Sequence, residues 1–430
     1  MAGALAGIRV LDLTEYVAGP FAGQMLADMG ADVLKLEPPS GDQWRLTNMV
    51  AADESRNFLS VNRGKRSLVV DLKTPEGKEI AYRAVARSDV VLSSYRPGVA
   101  ERLGMDYAAL SAIKPDLIYA KNTAFGSLGP YAGKPGFDLV AQAMTGIISF
   151  ESFGRAGRPQ GITSAAITDY CAGMNLAYAV VCAIFQRNAT GEGQEVETSL
   201  FASGIALQYR PLMSINLFDL DARQALIERL DEASAKGTRR DEAINDPDAP
   251  GHQRTGAPAL ATNPYYNVYK TRDSHMVIAC LNNRLRRASA RLLGVDDPRV
   301  EIDEWDSTTL DPDDAAKLND QIDAIFETRT TEEWCTAFEA QGVPCGPVRI
   351  TEELYEDPHV RAQDLIPELD HPLVGPIRVA GSPIHMSKAE TGAKVASPTL
   401  GQHTREVLAE LDYSDEEIAA LIQNKVARAP

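Results

Sequence analysis

The first third of the chain alternates short apolar runs with amphipathic stretches. Residues 8–14 (IRVLDLT) and 31–37 (ADVLKLE) predict strands, with a helix over GPFAGQMLADMG between them. Residues 67–72 and 89–95 predict two more strands around the helix TPEGKEIAYRAVARS, where Thr74 suits the N-cap and Pro75 the first turn. A fifth strand begins at Asp116. Strands separated by helices of this length imply βαβ units and a parallel sheet in an α/β fold.

Residues 138–150 and 169–188 predict helices, and the second is apolar on most faces, so it is expected to be buried. Gly191 and Gly193 should end it before a strand near 194–199. The character changes after about residue 215, and residues 231–262, rich in charge, Gly, Pro and Ala, read as an exposed linker or mobile loop. YNVYKT and MVIACL flank a polar turn, which predicts a hairpin. The helix NNRLRRASARLLG follows, and Thr330 to Glu333 form a capping box for a helix reaching Ala340. In the tail, PIRVA and SPIHMS read as strands before a last helix near 400–411. The boundaries expected are 1–210 for the first part of a large domain, 211–262 for a linker and variable insertion, 263–345 for a small domain, and 346–430 for the return to the large one.

Composition narrows the classes. Hydrophobic residues make up 44% and charged residues 24% of the 430 positions, as in ordinary globular proteins. A formal charge of −17 opposes nucleic acid and acidic membrane surfaces, so neither partner is expected. No run reaches the roughly 20 apolar residues of a membrane span, and MAGALAGIRVLDL lacks the pattern of a signal peptide, which together predict a cytoplasmic protein. Five scattered cysteines read as reduced thiols, and the six histidines show no metal spacing, so no metal is expected. A strand, a glycine turn, a helix and Glu37 at the end of the next strand resemble a dinucleotide motif. The glycines nevertheless stand as Gly19 and Gly23 with Phe21 where the backbone must approach a pyrophosphate, so they read as packing glycines.

The opening GIRVLDLTEYVAGPFAGQMLADMGADVLKLEPPSGDQWR, together with NRGKRSLVVDLKTPEGKE, GSLGPYAGKPGFDLVAQAMTG, QGITSAAITDYCAG and TGEGQEVETSL, resembles the class III CoA-transferases, the family of carnitine and formyl-CoA transferases. The later EAQGVPCGPV, EDPHVRAQDLI and PTLGQHTREVLAEL are also similar. The resemblance implies a Rossmann-like large domain built from both chain ends, a smaller inserted α+β domain, and two ring-like subunits interlocked as a homodimer. It implies transfer of coenzyme A from an acyl-CoA to a carboxylic acid, with acyl-CoA as substrate and no tightly bound cofactor.

The family's nucleophilic aspartate falls on Asp169 in SAAITDYCAG. Placed where the apolar helix opens, with Thr168 as cap, its carboxylate faces unpaired N–H groups, which should favour the ionised form. The resemblance carries the CoA contacts onto Val17 and Ala18, onto Val70, Asp71, Leu72 and Lys73, onto Ser94, Tyr95 and Arg96, onto Arg102, and onto Lys134, Pro135, Gly136 and Phe137. Lys73, Arg96, Arg102 and Lys134 are the expected phosphate partners.

Two rivals remain on the same sequence. An α-methylacyl-CoA racemase of this fold needs a histidine where the chain has Phe137, between Gly136 and Asp138, and none occurs between residues 1 and 251. A non-catalytic acyl-CoA binding protein would not need Asp169 beside the small residues Ala165, Ala166 and Gly173. Formyl-CoA transferases carry a glutamine at the position of Val17, which an apolar residue replaces here; a larger or more apolar acid, such as a dicarboxylate, a carnitine-like acid or an aromatic acid, is favoured over the smallest ones.

Overall fold

The structure is a computed structural model that describes residues 2–152, 160–209, 212–239, 263–301 and 312–430. Two compact units emerge. The larger draws on Met1–Met213 and His359–Pro430, and the smaller on Ser214–Lys236 and the segment ending at Pro358.

A seven-stranded sheet forms the larger unit, in the spatial order Ala427–Arg428, Lys65–Val70, Asp32–Glu37, Arg9–Asp12, Val90–Ser93, Ile118–Thr123, Gln194–Ser199. Six strands are parallel, and the short strand at Ala427 closes one edge antiparallel to Val70. The parallel sheet predicted from the strand–helix alternation is present. The order reverses between Arg9–Asp12 and Val90–Ser93, so the loops after these two strands diverge and leave a crevice at their C-terminal ends.

Helices cover both faces. Pro75–Ala86 buries Ile80, Ala84 and Val85 against Leu11, Leu68 and Val91, with Val407 and Leu408 of the last part of the chain. Thr74 caps this helix by accepting from the Gly77 N–H at 3.0 Å, and Pro75 stands at its start, as predicted. On the other face Ala18–Asp28 and Ile167–Thr190 pack together through Ala22, Leu26, Leu176 and Val180. A Cβ on Gly173 would stand 2.7 Å from the Ala18 carbonyl, so the two helices touch at a point only glycine allows.

Several sequence expectations change. The helix predicted over 138–150 breaks at Gly146, whose φ of +94° ends Asp138–Thr145 before Ile147–Ser152 starts. Ile167–Thr190 is buried on one face only: Tyr178 is 73% and Phe185 79% exposed, because they lie a half-turn from Leu176, Val180 and Ile184. This helix is also long and apolar enough to cross a membrane by length and composition, which the sequence reading denied of any segment; half of its most apolar stretch is buried in the protein. Residues 216–236, read as linker, form the helix Asn216–Lys236, and 240–262 lie outside the described residues. SPIHMS is not a strand, and among the described residues no neighbour pairs with it; the hairpin there is Glu368–His371 with Gly375–Arg378. A helix over Asp415–Gln423, opened by a Ser414–Glu417 capping box, follows the predicted one at Thr404–Glu410.

In the smaller unit the predicted hairpin pairs Tyr266–Lys270 with His275–Ala279 and adds Cys345–Pro347. Asn282 and Gly294 cap the helix Asn283–Leu293 at its two ends, and the Thr330–Glu333 box opens Thr331–Glu339. Trp334, Phe326 and Phe338 fill the core beside Tyr269, whose ring stacks on Phe326 at 4.1 Å.

Candidate active site

A set of buried charges fixes the crevice loop. After Arg9–Asp12 the chain runs through Thr14 to Val17 before Ala18 starts the next helix. Asp12 pairs with Lys65 at 2.8 Å, and Lys65 Nζ also donates to the Pro20 carbonyl and Asn62 Oδ1. Lys35 donates to the Thr14 carbonyl at 2.7 Å and pairs with Asp42 at 2.9 Å. Asp42 in turn accepts from the Tyr16 N–H. These side chains are wholly buried, where a charge persists only when partnered. Burial drives Lys65 down to about 8 against the pull of Asp12, while Asp42 and Asp12 outweigh burial and raise Lys35. Glu37, the acid of the dinucleotide-like pattern, is bound by Arg45 at 2.7 and 3.0 Å and by Ser67. It has no free face for a ribose. Gly19 and Gly23 pack as read from the sequence: a Cβ would meet Thr14 at 2.3 Å or Asp12 Oδ2 at 2.9 Å.

This pinning holds Tyr16 at φ +69°, a left-handed conformation unusual for a bulky residue. Its ring stands edge-on to Trp44 at 5.8 Å and to Phe137 at 5.3 Å. The next residues, Val17, Ala18 and Gly19, open a helix that has no side-chain cap. The N–H groups of a first turn have no acceptor inside their own helix, and here they begin at the crevice.

Asp169 enters from the opposite wall, in the first turn of Ile167–Thr190. The cap differs from the expectation. Thr168 lies inside the helix and gives both its N–H (2.8 Å) and its hydroxyl (2.7 Å) to Asp138 Oδ1. Gln142 donates to Asp138 Oδ2 at 2.7 Å and clamps both polar groups of Ile162. Asp138 therefore caps the helix from a different part of the chain. The expected bias of Asp169 toward its ionised form is overturned for the same reason: burial, and after it the charge of Asp138, push its carboxyl up to about 7. Glu15 is lifted to about 7 as well, first by burial and then by Asp42; its N–H donates to Ser94 Oγ at 3.1 Å.

Around Asp169 a cavity of about 120 Å³ is lined by Val17, Ala18, Ser94, Arg96, Lys134, Pro135, Gly136 and Phe137. That volume suits the reacting end of a ligand, well below the roughly 300–1,000 Å³ of a site enclosing a whole drug-sized molecule. Nine of the fifteen residues singled out in the sequence thus converge. The other six stand outside this cavity. Val70 is fully buried in the sheet and pairs with Ala427, Leu72 belongs to the same core, and Tyr95 packs against it. Asp71 accepts from the Lys73 N–H at 3.0 Å, and Arg102 lies in the short helix Val99–Leu103. Glu15, Tyr16, Asn122, Thr123 and Leu200 also line the cavity and were not singled out. Position at the end of a parallel strand is the signal that marks Asn122 and Thr123. Among the described residues, no histidine lines it.

CoA-transferase family III matches residues 5–404. A succinate–glutarate CoA-transferase of Agrobacterium fabrum is 32% identical, with 95% of this chain and 96% of that protein aligned. A formyl-CoA:oxalate CoA-transferase of Streptomyces avermitilis is 32% identical, over 99% of this chain and 100% of its own. The crystal structure of a CaiB/BaiF family protein from Brucella suis superposes with a TM-score of 0.73 at 29% identity, covering 96% of this chain and 100% of the other.

Proposed function

The chain belongs to CoA-transferase family III, and from that premise we propose that it transfers coenzyme A between two carboxylic acids through covalent adducts on Asp169. The observation that carries this reading is the position of the Asp169 carboxyl. It shares one small cavity with the uncapped start of Ala18–Asp28 and with two cations, Arg96 and Lys134.

The steps follow from the groups present. Asp169 Oδ attacks the thioester carbon of the donor, the C–S bond breaks, and an acyl–aspartyl anhydride and CoA thiolate form. The thiolate then attacks the aspartyl carbonyl and expels the donor carboxylate, leaving an aspartyl–CoA thioester. The acceptor carboxylate attacks that carbonyl, thiolate leaves again, and its return to the acceptor's carbonyl releases the new acyl-CoA and restores Asp169. Each tetrahedral intermediate carries an oxyanion, and the uncapped helix start at Val17 to Gly19, which lines the same cavity, supports its N–H groups as the donors to it. A carboxyl at about 7 is a stronger nucleophile, once ionised, than one at the ordinary value of 3.8.

Arg96 and Lys134 are taken as the partners of the CoA phosphates. The apolar Val17, and relatives named for succinate and glutarate, support a short dicarboxylic acid as donor and acceptor. We further take the active form as an interlocked homodimer with a Rossmann-like large domain, in the cytoplasm, without a membrane or nucleic-acid partner and without a tightly bound cofactor. The exposed apolar face with Tyr178 and Phe185 supports a second copy packing there.

The test is the intact mass of the protein after mixing with succinyl-CoA. An added mass that vanishes on treatment with hydroxylamine, and never forms in Asp169→Ala, is expected. Adduct formation in Asp169→Ala would overturn the assignment.

A further inference from the structure

Asn122 lies near the C-terminal end of the strand Ile118–Thr123. The strand's register shows which way it faces. Ile118 and Ala120 pack with Ala22, Leu26, Leu176 and Val180, whereas Tyr119 packs into the opposite layer with Leu11 and Val91. Alternation therefore places Asn122 on the side of Ala18–Asp28 and Ile167–Thr190, one step past the apolar layer. Asn122 is one of the residues lining the cavity that holds Asp169 and Val17. Asn122 is only 5% exposed, yet its Oδ1 has no hydrogen-bond partner among the described residues.

A buried amide oxygen left without a partner is costly, and an apolar side chain would fill the same place without that cost. A ligand that completes it accounts for its presence. The chemistry of the reactants says which part. The thioester carbonyl, the anhydride and the entering carboxylate all present acceptors only, so none of them can satisfy an oxygen such as Oδ1. The arm of every acyl-CoA, however, carries an amide two carbons from the sulfur, with one N–H and one carbonyl. An asparagine side chain pairs with a second amide at both ends.

We propose that Asn122 binds the amide of the CoA arm closest to the sulfur, its Oδ1 accepting that N–H and its Nδ2 donating to that carbonyl. The thioester carbon is thereby held against Asp169. This assignment rests on the transferase reading above and adds a recognition element to it that is independent of which acid is carried.

The experiment uses the full chain and two small thioesters of the same acid. One is the succinyl thioester of N-acetylcysteamine; the other is its isostere in which an ester oxygen replaces the N–H. The rate of Asp169 acylation is followed by intact mass and by thiol release. Wild type is expected to react roughly 10- to 100-fold faster with the amide thioester. In Asn122→Leu that ratio should fall to about one, through loss on the amide substrate alone, and Asn122→Ser should behave alike if the leucine variant does not fold. The melting temperature of Asn122→Leu should hold or rise, because an orphaned amide oxygen is removed. A ratio that stays unchanged in the variants, or an equal loss on both thioesters, overturns the assignment and leaves the transferase reading intact provided wild type still forms the Asp169 adduct with succinyl-CoA. Absence of that adduct in wild type overturns both.

Discussion

Replacing Asp169 by asparagine should make the protein more stable at neutral and alkaline pH while abolishing transfer. In the folded chain the carboxyl is raised from 3.8 to about 7, chiefly by burial. Between those values the folded state holds a proton that the unfolded state has released, so stability falls as pH rises through the window from about 4 to about 7, and is constant above it. The difference of about three pH units corresponds to about 4 kcal/mol, since each unit is worth about 1.4 kcal/mol. Asparagine has no proton to lose there, and its amide keeps the volume. Urea unfolding of wild type and Asp169→Asn at half-unit steps from pH 4.5 to 8.5 isolates the term, because the other titrating groups are common to both chains. The variant's advantage should be smallest, about 1 kcal/mol, at the acid end and grow to a plateau of up to about 4 kcal/mol above pH 7.5. A difference that does not change with pH, or a wild type that is the more stable at pH 8, would refute the reasoning that burial raises this carboxyl.

The same raised value predicts that acylation of Asp169 climbs about tenfold per pH unit below 7 and levels off above, measured as single-turnover thiol release. Asp138→Asn, which keeps an acceptor for the Thr168 N–H and hydroxyl but removes the charge, should move that midpoint to lower pH; a midpoint that stays put would mean burial alone sets it. Lys65→Met leaves Asp12 buried without its partner, and urea midpoints should report a loss of about 3–5 kcal/mol. Gly173→Val forces a side chain against the Ala18 carbonyl; a destabilisation of about 1–3 kcal/mol is expected, with a loss of rate because both helix starts in the cavity shift. Lys134→Ala should raise the KM for acyl-CoA and weaken its dependence on salt, with the rate at saturation little changed.

What was legible in the chain follows local rules. Thr74 and Pro75 start a helix, the Thr330–Glu333 box starts another, and Gly191 ends a third, because each satisfies backbone groups within a few residues of itself. The parallel sheet followed from the spacing of strands and helices. Failures occurred where a distant partner decides. SPIHMS has a strand's pattern but, among the described residues, no neighbour that pairs with it, and the face of Ile167–Thr190 bearing Tyr178 and Phe185 is as apolar as the buried one. No local signal separates them.

The sequence by itself determined the class of protein and singled out Asp169 as the candidate nucleophile, since both rest on ordered motifs along the chain and on the alternation of strand and helix. Tertiary structure decided the environment of that carboxyl. Asp138 lies thirty-one positions earlier, yet it takes the Thr168 N–H and hydroxyl and sets its charge near the Asp169 carboxyl. Desolvation depends on everything packed around a group rather than on its neighbours in the chain, so a rule read from helix position pointed the wrong way. The same holds for Asn122: nothing local marks this residue at a strand end, and only the fold sets it beside the cavity with its Oδ1 unpartnered among the described residues.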